Sequence, residues 1–130
     1  MPPEATEPDA DLDIFVYDPA GDFAASSTSG GTDELIDILL PMDGTWSVYV
    51  HGWACPGGDS DYDLYTWIIS ATPGGNLVID SAPASATLGA TETVDVSWTG
   101  ATAGQWHLGA VSHTGDVGLM GLTLIDVDNR

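Results

Sequence analysis

Five aspartates, Asp9, Asp11, Asp13, Asp18 and Asp22, surround one short apolar run in the segment DADLDIFVYDPAGD. Carboxylates grouped this way suit the binding of a divalent cation. On a strand, Asp11 and Asp13 would project from one face with about 6–7 Å between them. Calcium takes six to eight oxygens at about 2.3–2.6 Å in irregular geometry, so it can sit between two such groups where loop carbonyls help. A second cluster, Asp59, Asp61 and Asp63 in GGDSDYD, repeats the spacing. Neither matches the loop of an EF-hand. Solvated surface charge explains the same residues, and the sequence leaves both readings open.

The second constellation is aromatic. In TWSVYVHGWA, Tyr49, His51 and Trp53 share one strand face, while Trp46, Val48 and Val50 share the other. Tyr65 and Trp67 form a shorter stripe of the same kind. Exposed, such a stripe is a stacking platform for sugar rings or a polypeptide. Buried, it is core, since aromatic residues carry much of any packed interior. Tyr49, His51 and Trp53 are the candidate ligand-binding residues.

Catalytic arrangements are missing. A serine hydrolase needs a nucleophile beside a base, and no G-x-S-x-G or comparable motif accompanies His51. His107 and His113 lie on one face of WHLGAVSH, about 20 Å apart if that strand is continuous at about 3.3 Å per residue. They cannot share one zinc. Cys55, in the loop CPGGDSD, has no signature of an activated thiol around it. No glycine-rich phosphate loop precedes a helix. The chain is not expected to be an enzyme.

The remaining composition narrows the partners. The chain has 130 residues, enough for one domain or two small modules sharing a core. Twenty acidic residues oppose one basic residue, Arg130, for a net charge of −19. Such a surface repels phosphate backbones and anionic lipid, which argues against nucleic acid and membrane partners. Sixteen of the acids are aspartate, the residue suited to turns and calcium loops. A halophilic host would also account for the excess, because high net charge keeps a protein soluble in strong salt. With a single cysteine there is no internal disulfide. No stretch is long enough to span a membrane as a helix. The opening MPPEATEPDA lacks the features of a signal peptide and reads as an acidic, proline-rich linker over residues 1–10. The chain is expected to be a piece of a longer one.

Strand-like runs recur between Gly, Pro, Asp and Ser clusters, and no segment has helical periodicity. The expected architecture is all-β: an antiparallel β-sandwich, jelly-roll or Ig-like, of two small sheet units packed together. The first unit spans residues 11–70, with strands at 12–17, 34–40, 45–54 and 62–70 and a return strand in DFAAS. PMDG joins the second and third of these as a hairpin. After the break ATPGGN, the second unit spans 76–130, with strands in LVIDS, ETVDVSW, WHLGAVSH and LMGLTLIDV. In VDVSW, Val94, Val96 and Trp98 point inward and Asp95 and Ser97 outward. The last strand is apolar on both faces, as for a central strand or one covered by the first unit.

The segments DLDIFVYDPAGD, SSTSGGTDE, LPMDGTWSVYVHGW and YDLYTW together resemble the bacterial pre-peptidase C-terminal domain. That family carries an aspartate-flanked strand, a P-x-G-T hairpin and a YTL strand. The remainder, SAPASATLGATETVDVSWTGATAGQWHLGAVSH, resembles the module that closes many secreted subtilisin-like serine peptidases. The resemblance covers nearly all the chain after residue 10. It implies a secreted, non-catalytic accessory domain of such a peptidase, serving substrate adsorption, secretion or calcium-linked stabilisation. An upstream peptidase domain and an extracellular protein or polysaccharide substrate are the implied partners. Relatives in clostridial collagenases bind collagen. The subtilisin catalytic motifs are absent, so no catalytic residue carries over. The strands that normally precede the family's aspartate-flanked strand are also absent, which implies an incomplete first sandwich completed by an upstream domain or by self-association through unpaired strand edges. The alternatives are a carbohydrate-binding module using Tyr49, His51 and Trp53, and a structural adhesin or filament subunit.

Overall fold

The computed structural model describes residues 9–130, so most of the linker expected over 1–10 lies outside the described residues. Seven strands and no helix are found among them: β1 (Asp11–Tyr17), β2 (Phe23–Ser27), β3 (Ser47–Ala54), β4 (Leu77–Ser81), β5 (Asp95–Trp98), β6 (Trp106–Gly115) and β7 (Gly118–Asp128). Every strand pairing is antiparallel. The all-β, antiparallel class is borne out. The chain divides into two compact units, Met1–Tyr65 and Thr66–Arg130.

The first unit is a three-stranded sheet in the order β2-β1-β3. β1 forms because its residues alternate, and Leu12 and Val16 on one face are buried. Asp18 folds the chain back toward β2. Its Oδ1 accepts the amides of Ala20 and Asp22, both at 2.9 Å, while Gly21 N–H donates to Asp18 O. Pro19 sets the second position of this turn, and Gly21 takes the positive φ of 87° that it requires.

Residues 34–40 and 62–70 are not strands, contrary to the sequence expectation. Their period-two pattern is real, because Ile36 and Ile38 are half-buried between exposed neighbours, as are Tyr65 and Trp67. Alternation shows that one side meets protein; a strand also needs a hydrogen-bonded neighbour. At Leu40 the backbone enters the left-handed region, φ 51°, where no ladder continues. The hairpin expected at PMDG is therefore a connection between a loop and β3.

The second unit has four strands in two pairs, β4-β5 and β6-β7. β6 and β7 join through Asp116 and Val117, with Gly118 at φ 104°. One face of the β6-β7 pair meets the β4-β5 pair: Leu77 lies so close to Gly109 that a Cβ there would sit 2.8 Å from Leu77 Cδ2. Val94, Val96 and Trp98 line the gap from the other side, which bears out their inward orientation. Toward Val94 and Val96 the pairs part to leave a cleft of about 260 Å³. Among the described residues β7 pairs only with β6, so it is not a central strand.

Candidate functional site

The side chains with chemistry gather on one face of the β2-β1-β3 sheet. Directly opposed residues share a face, and the register opposes Asp13 to His51, Phe15 to Tyr49 and Tyr17 to Ser47. On the other side Phe15 faces Ser26 and Tyr17 faces Phe23. The rings meet edge-on or tilted: Tyr17 with Phe23 at 5.8 Å, Tyr17 with Tyr49 at 5.5 Å and Phe15 with His51 at 6.2 Å. His51 and Trp53 meet at 6.1 Å, which puts Trp53 on the same face. The register shifts between Asp11 and Leu12, whose partners are Ala54 and Gly52, so Trp53 has no opposite residue. Such a shift bends a strand and re-aims a side chain.

This stripe is not core. Trp53 is 71% exposed, Tyr49 60% and Phe23 59%. Of the two readings left open, a buried stripe fails because these rings are exposed, while the buried apolar residues of β1, Leu12 and Val16, are on the other face.

Asp13 is the polar anchor of the face. It is buried, and its Oδ2 lies 3.3 Å from Nδ1 of His51, whose side chain is 53% exposed. A carboxylate only accepts, so in this bond Nδ1 is the donor, and a ring with its single proton there has Nε2 as an acceptor. This pair is 38 residues apart in sequence.

The other candidate metal residues lie apart from this pair. Asp11 Oδ1 accepts the amide of Gly31 at 3.2 Å, and Asp18 is committed to its turn. Asp9 and Asp22 are exposed, as are Asp59, Asp61 and Asp63 in their loop. Among the described residues no three carboxylate, imidazole or thiol groups converge as a metal site.

Glu34 was not singled out by its sequence context, yet it is buried. Its Oε1 accepts the amide of Ser29 at 2.7 Å and the hydroxyl of Ser29 at 2.6 Å. Burial pushes its carboxyl up, but donation from Ser27 and Ser29 outweighs that and holds the pKa below the ordinary glutamate value. The serines of SSTSGGTDE were the signal available in the sequence. In the second unit Arg130 grips Asp128 through two bonds of 3.0 Å and stacks over Trp106 at 4.7 Å. Arg130 holds the Asp128 carboxyl below its usual value.

The segment that builds the aromatic face has known relatives. Residues 4–52 match the bacterial pre-peptidase C-terminal domain. The resemblance read from the sequence is borne out there. Over 93 residues, 69% of its length, the chain is 28% identical to pyrolysin of Pyrococcus furiosus. The chain spans about 6% of that protein's length. No solved structure matches the chain.

Proposed function

We propose that the chain is a non-catalytic accessory domain of a secreted subtilisin-like peptidase, and that it adsorbs the enzyme to an insoluble extracellular substrate. The observation that carries this reading is that the segment matching the pre-peptidase C-terminal domain presents the exposed rings of Phe23 and Tyr49, with exposed Trp53 next to its end on the same strand. The likeness to pyrolysin, a subtilisin-like peptidase, supports the peptidase context. An Asp–His pair is also part of a hydrolase triad, and the turnover assay tests that alternative.

Calcium-linked stabilisation and self-association belong to the same proposal. Support for calcium is the carboxylate surplus and the spacing of Asp11 and Asp13; support for self-association is the outer edges of β2 and β3, which pair only with β1 among the described residues. The test of the main reading has two arms. Purified chain is incubated with casein and a fluorogenic peptide, and separately with insoluble protein and polysaccharide matrices. Retention on a matrix without turnover is expected. Turnover that survives purification and vanishes on substitution of one serine or histidine would overturn it.

A further inference from the structure

We infer that the aromatic face of β1, β2 and β3 binds a polysaccharide free of acidic groups, with His51 as the hydrogen-bonding selector and Asp13 as the residue that positions it. The inference rests on the adsorptive reading above and names its substrate class.

Three features of the face point to sugar. First, Tyr49 and Trp53 stand exposed about 13 Å apart along β3. Apolar C–H faces of successive sugar rings can rest on such rings. Edge-on contact with Tyr17 holds Tyr49 in place, and contact with His51 holds Trp53, so little side-chain freedom is lost on binding. Second, the positions between the rings are polar. Ser26 and Ser47 oppose Phe15 and Tyr17, and His51 lies between Tyr49 and Trp53. A sugar hydroxyl donates to Nε2 of His51 while Asp13 holds the proton on Nδ1. An extended apolar peptide would instead pair with a free strand edge, as β2 and β3 have, or fill aliphatic pockets, whereas this face offers rings interleaved with hydroxyls and an imidazole.

Third, charge selects among polysaccharides. The net charge is −19, and the sole basic residue, Arg130, is occupied with Asp128 and Trp106 in the other unit. Uronate or sulfate groups would be repelled. Uncharged or amine-bearing chains are not.

The full chain is tested for retention on insoluble chitin, cellulose, cross-linked alginate and fibrous collagen, with thermal melts of every variant alongside. Retention on chitin or cellulose and none on alginate is expected. Trp53→Ala and Tyr49→Ala should each lower it about tenfold or more while leaving the melt nearly unchanged. His51→Leu should weaken retention similarly and His51→Gln, which restores an acceptor, should recover it. A merely structural role for His51 would not distinguish these two. Asp13→Asn should reduce retention, and because Asp13 is buried the His51 pair decides if that variant melts early. Retention on collagen alone overturns the sugar class and leaves adsorption standing. Equal retention on alginate overturns the charge selection. Retention on none of the four overturns adsorption as well.

Discussion

Gly44 approaches Pro19 so closely that a Cβ on the glycine would lie 2.6 Å from Pro19 Cβ. The loop before β3 thus packs directly on the turn between β1 and β2, and Gly44 does so at φ 138°. A proline ring cannot swing aside as a long side chain can. Gly44→Ala should destabilise the first unit by about 1–3 kcal/mol through overpacking, with backbone strain added. Urea unfolding followed by tryptophan fluorescence would read this, and an unchanged midpoint would contradict the contact.

Trp53→Ala offers the opposite expectation. A buried tryptophan costs about 3–5 kcal/mol on truncation to alanine, whereas Trp53 is 71% exposed. The expected loss is below about 1 kcal/mol, the range of surface substitutions with one ring contact removed. A thermal melt separates the two, since a loss of several kcal/mol would make the ring core after all.

Much of this was legible in sequence, for a physical reason. The strands expected in β1, β3, β4, β5, β6 and β7 stand close to where the sequence pattern put them, each with a paired neighbour. Residues 34–40 and 62–70 show the same pattern without a ladder, because burial periodicity reports which side meets protein and carries no information on backbone pairing. The site was half visible. Tyr49, His51 and Trp53 were legible from one strand, but Phe15, Tyr17 and Phe23 join them only through cross-strand register. Whether the face was inside or outside could not be read from a stripe that both a core and a platform would show. The Asp13–His51 pair was hidden for the same reason, being made by two strands.

Glu34 should make stability acid-sensitive. Its pKa is held below the ordinary glutamate value in the folded chain, so the unfolded state binds the proton first. The carboxylate therefore stabilises the fold above the unfolded value of about 4.3. That contribution is lost as pH falls through the lower folded value. Glu34→Gln should lower the melt at pH 7 and flatten its fall below about pH 4.3 relative to the parent chain. Equal pH slopes for the two proteins would show that the serine bonds to Glu34 do not distinguish its charged form.

Self-association is expected from the open edges of the first sheet. β2 and β3 each pair on one side only among the described residues, and their free amides and carbonyls can accept another strand. Light scattering across a concentration series should show mass rising with concentration. A proline at Val48 or Val50 removes one amide from β3 and should lower the association if β3 supplies the edge. A single mass equal to the monomer throughout would remove this expectation.

Calcium provides the last test, and it bears on the residues with the highest charge density. Asp11 and Asp13 lie two residues apart on β1, yet Asp11 already accepts the Gly31 amide and Asp13 already holds His51. An ion must therefore draw on carboxylate oxygens that these bonds leave free, with carbonyls of the neighbouring loop completing its shell. If calcium binds only the folded chain, stability rises by about 2.7 kcal/mol at a hundred times the dissociation constant. Screening of the −19 charge also raises stability, but sodium chloride supplies that equally. The expected outcome is a higher melt in millimolar calcium than in sodium chloride of matched ionic strength. The excess should disappear in Asp11→Asn and persist in Asp59→Asn if the first cluster is the site. Identical melts in the two salts would leave every aspartate here to its hydrogen bonds and to solvent.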